Sequence, residues 1–225
     1  MDFDMGRVIT IDGPAASGKT SVSRELAKRL GWNWVSTGSF YRGLGYAALR
    51  KKIHLDDEKA LCDLATSPDW SVRMTDDQTQ VFFGDEDVTR QLIMEDVGNI
   101  ASRISHFPEV RKALLDPQRK CCEITEGLVA EGRDCGTVVF PQAEVKIYIT
   151  ANQEDRAARR ARELGSDAIQ IEEAQKQRDL QDSSRKVAPM QVPENAFVVD
   201  TTHMSLSEVV DAIETYVRKK IGEKA

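Results

Sequence analysis

RVITIDGPAASGKT, residues 7–20, joins a β-branched run to a glycine-rich loop, and the fold follows from how that junction reads. Gly13, Gly18, Lys19 and Thr20 fill the fixed positions of G-x-x-x-x-G-K-[ST]. In that pattern backbone N–H groups cradle phosphates, the lysine reaches the β/γ oxygens and the hydroxyl takes magnesium. Val8, Ile9, Thr10 and Ile11 read as a buried parallel strand that ends at the loop. Beyond it Val22, Leu26, Ala27 and Leu30 recur at helical spacing, with Gly31 where a C′ glycine belongs. Strand, loop, helix is the order phosphate binding needs, because the helix N-terminus adds the positive end of its dipole to the loop amides. Gly13, Pro14, Ala15, Ala16, Ser17, Gly18, Lys19, Thr20 and Ser21 are therefore the expected nucleotide-phosphate site, with Thr20 the expected Mg2+ ligand.

The chain has 225 residues, 40% of them hydrophobic, which suffices for a sizeable core within one domain. Its net charge of −6 argues against a general nucleic-acid binder, which carries a basic field. A polyanionic small substrate stays open: dispersed carboxylates are screened beyond a Debye length of about 8 Å, whereas an arginine touching a phosphate is not. No apolar stretch approaches the roughly 20 residues that span a bilayer. The start MDFDMGRV is acidic rather than basic, unlike a secretory signal, so a cytoplasmic protein without membrane partner is expected. Cys62, Cys121, Cys122 and Cys135 form no C-x-x-C pair and His54, His106 and His203 are scattered, so neither a disulfide framework nor a zinc site is expected.

Along the chain, WNWVSTG reads as a second strand entering a turn, and SFYRGLGYAALRKK as a helix interrupted by Gly43 and Gly45. Asp56 or Asp57 is the expected N-cap of a helix to about residue 65. Residues 69–74 and 80–83 read as strands joined by TDDQT, with GDEDV as a further turn, which makes a small antiparallel insertion. Residues 89–106 and 108–122 return to helical patterning, with Pro108 in a first turn. Residues 128–131, 145–150 and 196–200 are short apolar runs suited to a parallel sheet. Asn152 with Asp155 opens an arginine-rich helix, and Ser205 with Glu208 forms a capping box before an amphipathic one. The expectation is an α/β protein: a doubly wound parallel sheet with helices on both faces, a small β-rich insertion and a helical lid.

The loop alone does not choose the reaction. No N-K-x-D guanine reader is present, and a helicase or motor needs a longer chain, whereas small P-loop kinases add arginines from mobile segments. ITIDGPAASGKT, STGSFYR (36–42), NIASRISHFPEVRKALL (99–115), GLVAEGRDCGTVVFP (127–141) and RDLQDSSRKVAP (178–189) occur in that order over nearly the whole chain. On these motifs the sequence resembles the bacterial-type cytidylate kinases of the nucleoside monophosphate kinase family. The likeness implies transfer of the γ-phosphoryl of ATP to CMP, and to dCMP, with Mg2+; no protein partner is implied, no nucleic-acid partner is expected, and a monomer is the expectation. It also implies one P-loop kinase domain over 1–225: a core (about 1–35, 106–153 and 188–225), an acceptor-binding insertion (about 36–105) and a lid (about 154–187).

Carried over motif by motif, Ser36, Tyr41 and Arg42 would line the acceptor site, with Arg42 and Arg133 on its phosphate. Ser102, Arg111 and Asp134 would read the cytosine, and Arg178, Asp182 and Arg185 would contact sugar and phosphates. Lys19, Arg133, Arg178 and Arg185 are the expected catalytic groups. The i, i+4, i+7 spacing of the last trio puts them on one helix face. Arg156, Arg159 and Arg160 stand where the lid begins, a solvated face that includes Arg162 being the bland alternative. The chain departs from the family pattern at Ser36-Thr37-Gly38, at Glu131 where Asp is common, and at Leu180 and Gln181 where Asp and Arg are common. Competing readings are a P-loop kinase for UMP or a non-nucleotide acceptor, and a non-catalytic nucleotide-binding regulator.

Overall fold

A computed structural model describes residues 7–75, 78–164 and 168–222. The order is β1 (Arg7–Asp12), α1 (Lys19–Leu30), β2 (Asn33–Ser36), α2 (Gly38–Arg50), α3 (Glu58–Ala65), β3 (Trp70–Met74), β4 (Thr79–Phe83) and β5 (Glu86–Asp87). Then come α4 (Glu95–Ile104), α5 (Pro108–Lys120), β6 (Gly127–Gly132), β7 (Val145–Thr150), α6 (Gln153–Leu164), α7 (Ala168–Ser183), β8 (Phe197–Asp200) and α8 (Leu206–Gly222). Five strands form a parallel sheet in the order β2-β6-β1-β7-β8, so β1 lies at its centre between β6 and β7.

Alternation along the central strands builds the core on both faces of this sheet. Val8, Leu128 and Ala130 pack with Leu44, Leu114 and Phe140 on one side, while Ile9, Ile11 and Val129 pack with Leu26, Ile213 and Val217 on the other. Strands covered on both faces have no solvent side, which is why they read as continuous apolar runs. Helix ends are set locally: Gly31 takes φ 69° at the end of α1, Asn152 accepts from Asp155 N (2.7 Å), and Ser205 and Glu208 cap α8 reciprocally.

The insertion is a separate antiparallel sheet, β3-β4-β5, held on α2. Gly43 explains the interrupted appearance of α2: a Cβ there would lie 2.8 Å from the Trp70 ring and 2.9 Å from Val81. The glycine that weakens the helix thus admits the insertion's core. GDEDV, expected as a turn, includes the short strand β5. Residues 89–94 are not part of a continuous helix; Thr89 accepts from Val81 N (2.9 Å) and donates its own N–H to Asp87 (2.9 Å), and only a 3-10 turn at Gln91–Ile93 precedes α4. Of the expected TDDQT turn, residues 76–77 lie outside the described residues.

Candidate active site

The glycine-rich loop leaves β1 at the carboxyl edge of the sheet and is pressed onto β7. A Cβ on Gly13 would meet Ile149 O at 2.0 Å, and φ at Gly13 is 149°, so only glycine fits. Ala16 and Gly18 take positive φ, which turns successive amides inward as an anion-binding nest. Lys19 folds back over this loop, donating to Pro14 O (2.5 Å) and lying 3.5 Å from Ser17 Oγ. On the next strand β6 pairs in register with β1, which brings Glu131 beside the start of α1. Thr20 Oγ1 lies 3.0 and 3.1 Å from the two Glu131 carboxylate oxygens.

Opposite the loop, the turn after β6 carries Arg133 and Asp134 and runs into a π-helical turn, Cys135–Val139. Asp12, the last residue of β1, accepts from Cys135 N (2.8 Å) and Gly136 N (2.7 Å) and so holds this turn. Asp134 forms a buried ion pair with Arg111 of α5, whose guanidinium lies 5.4 Å from the Tyr41 ring centre. Arg133 donates to Asp182 (2.9 Å) and to Gly13 O (3.1 Å), and Asp182 also pairs with Arg185. Arg42 reaches Leu92 O (2.5 Å) and Arg178 reaches Asn99 (3.0 Å), and both guanidiniums pass over Gly98 of α4. Ser102 on α4 donates to Gln181 of α7 (3.1 Å). A cleft of about 630 Å³ lies here, lined by every expected phosphate-loop and acceptor-site residue except Gly13 and Pro14, and by Arg159 and Arg160 but not Arg156. Arg111 Nε and Arg185 Nε are buried donors without a protein partner, which suits a ligand rich in acceptors.

A loop for phosphate and a buried carboxylate–guanidinium pair thus face one cleft. Residues 9–219 match the family model described as cytidylate kinase. The chain belongs to the cytidylate kinase family. A cytidylate kinase of Bdellovibrio bacteriovorus is 67% identical over 217 residues, covering 96% of this chain and 100% of the relative. A cytidylate kinase of Aeromonas salmonicida is 42% identical over 224 residues, covering 97% of each. Among solved structures, a gluconokinase from Sinorhizobium meliloti 1021 matches 98% of each chain with a TM-score of 0.51 at 13% identity, a likeness of fold alone.

Burial and charge set the protonation of the site. Burial, then Arg133, pushes Lys19 down to about 7 from its ordinary 10.5. Burial raises Asp12 from 3.8 to about 6 against the lowering effect of its two amide donors. Burial and then Arg111 lower Arg185 to about 10, and burial raises the Tyr41 hydroxyl. Among the described residues no group of three or more His, Cys, Asp or Glu could hold a metal ion. A hydroxyl beside a carboxylate at a phosphate loop does suit magnesium, which keeps several waters and takes further oxygens from substrate phosphates.

Some arginines stand otherwise than the sequence suggested. Arg156 is buried, not on a solvated face; it donates to Ala151 O (3.2 Å), Ala15 O (3.0 Å) and Asp179 (2.5 Å). Arg159 donates to Thr201 Oγ1 (3.1 Å) and Thr201 O (2.7 Å), while Arg162 is exposed. Arg185 is not on the helix face of Arg178 and Asp182, because α7 ends at Ser183; from beyond that end Arg185 still pairs with Asp182 three residues back. Sequence reasoning singled out neither Asp12 nor Asp179, which accepts from Ala15 N (3.0 Å). The place of Asp12, last in the strand before the loop, was the one available signal; Asp179 had none beyond its helix.

Proposed function

We propose that this chain transfers the γ-phosphoryl group of ATP to CMP and dCMP, giving ADP and CDP or dCDP. The observation that carries the reading is the buried Asp134–Arg111 pair across one cleft from the phosphate loop. Cytosine presents an N4 amino donor beside N3 and O2 acceptors, so Asp134 accepts and Arg111 donates, with Ser102 at the same edge. Uracil would set a carbonyl against the Asp134 carboxylate, and a site built on polar complementarity rejects such an analogue by factors of about 10⁴.

In this reading residues 13–21 hold the ATP phosphates, and Tyr41, with Ser36 at the end of β2, lines the acceptor pocket. Arg42 and Arg133 take the acceptor phosphate. A phosphate oxygen of CMP attacks the γ-phosphorus in line, the bond to the β,γ-bridging oxygen breaks, and ADP leaves with that electron pair. No protein nucleophile is needed. Lys19, Arg133, Arg178 and Arg185 absorb the charge that develops, and one such arginine is worth roughly 10³ to 10⁵ in rate. Asp182, paired with Arg133 and Arg185, holds two of these cations and releases them to the nucleotide's sugar and phosphates. Thr20 with Glu131 would hold Mg2+, which when bound neutralises β- and γ-phosphate charge. Residues 36–105 act as the acceptor-binding insertion and 154–187 as the lid on a P-loop core, in a cytoplasmic monomer whose one chain supplies the whole site.

ADP release measured against CMP, dCMP, UMP, AMP and GMP tests the reading. Turnover should be fastest with the cytosine nucleotides; a purine preference, or no response to any monophosphate, overturns it.

A further inference from the structure

Asp12 is a fully buried carboxylate that phosphoryl transfer does not use. It closes β1, and the next residue, Gly13, opens the phosphate loop. Its two oxygens accept separately from Cys135 N and Gly136 N, the first amides after Arg133 and Asp134. The residues on either side of this tie therefore belong to the two ends of the reaction, donor phosphate and acceptor base. We propose that Asp12 is a positioning residue that fixes the Arg133–Asp134 turn against the phosphate loop and thereby sets cytosine over uracil. This rests on the reading of Asp134 as the base reader given above.

The geometry asks for an ionised acid. Both N–H groups donate, so each carboxylate oxygen must accept; an amide turns its NH2 toward one N–H, and a protonated acid leaves one N–H only a hydroxyl oxygen, a weaker acceptor. A buried donor left facing a donor costs its full desolvation, and the turn shifts to relieve it. A shift of the turn moves the Asp134 carboxylate, and discrimination that depends on matched polar edges falls before binding of the phosphates does. The groups facing Asp12 are Lys19 from α1, Asp134 and Cys135 from the turn, and Tyr148, its register partner on β7. Burial, the largest of these effects, brings Asp12 to about 6, so the tie loosens within a measurable pH range.

The test is the ratio of kcat/KM for CMP to that for UMP. Both acceptors carry the same phosphate, so its own titration cancels. In the natural protein the ratio should fall about tenfold from pH 7.5 to pH 5, the scale of one lost buried hydrogen bond. In Asp12→Asn it should be low and flat across that range, through a raised KM for CMP, while ATP affinity changes less than about threefold. A ratio that is independent of pH in the natural protein overturns the inference even should Asp12→Asn fail to fold. So does an Asp12→Asn enzyme with an undiminished ratio. Asp134→Asn separates the two claims: if it collapses the ratio while Asp12→Asn does not, only the role of Asp12 fails. If Asp134→Asn leaves the ratio intact, the base reading fails and this inference with it.

Discussion

Lys19 makes a quantitative prediction about nucleotide binding. The residue is 6% exposed, and burial together with Arg133 lowers its ammonium to about 7 from the ordinary 10.5. A bound phosphate adjacent to it restores the charged form, because an opposite charge at contact favours ionisation. The bound enzyme then holds a proton that the free enzyme has partly lost, so binding takes up protons and weakens as pH rises. For a full return to the ordinary lysine value of 10.5 on binding, uptake is about 0.5 proton at pH 7 and about 0.9 at pH 8, and affinity falls about 50-fold from pH 7 to pH 9, or about 2 kcal/mol. Phosphate itself titrates near 6, below this window, at about that value for a monoester. Titration calorimetry with ATP and no acceptor, in two buffers of different ionisation enthalpy, reads the uptake directly. Lys19→Arg carries a charge that does not titrate in this range and should show none. Uptake below about 0.2 proton at pH 8 in the natural protein, or equal uptake in Lys19→Arg, would refute the reasoning.

Glu131→Gln removes the carboxylate from Thr20, and the Mg2+ concentration giving half-maximal turnover should rise about tenfold with KM for CMP unaltered, as loss of a supporting ligand does; a magnesium titration at saturating substrates decides it. Gly43→Ala should destabilise by about 1–3 kcal/mol in urea unfolding, since crowding of Trp70 and Val81 outweighs the gain of about 1 kcal/mol in helix propensity. A more stable variant would show that the insertion does not pack on α2 as described. Gln181→Arg should change kcat less than Arg178→Ala does in steady-state assays, because position 181 faces Ser102; a larger gain from the added arginine would move that residue to the phosphate end.

What the sequence made legible was local or periodic. The strand–loop–helix at 7–30 needed only a β-branched run, a glycine pattern and helical spacing, and the caps at Asn152 and Ser205 are contacts three residues apart. The acceptor-side residues of the cleft came from motif likeness, not from spacing, and their pairing was not readable. Asp12 meets Cys135 and Gly136, and Asp179 meets Ala15, only because parallel register and the α6–α7 hairpin bring distant segments together. Arg156 shows the same limit from the other side: a helix wheel gives its angle about the axis but not what covers it, and here Asp179 does.

The missing arginine at position 181 bears on how many cations meet the transferred group. Gln181 touches Ser102 on α4, at the end of the cleft where Arg111 and Asp134 pair. Arg133, one of the cations nearest the loop, contacts Gly13 O directly, and Asp182 ties Arg185 to the same guanidinium. A guanidinium serves a transferring phosphoryl group chiefly through charge-assisted N–H···O bonds, which need contact geometry. On the proposed reading a guanidinium at the base end therefore adds little at the γ-phosphoryl, and Lys19, Arg133, Arg178 and Arg185 remain the groups proposed to act there. Gln181 bridges α7 to α4, the proposed lid to the proposed acceptor insertion, so the substitution's consequence is expected in acceptor binding and closure instead of in the chemical step.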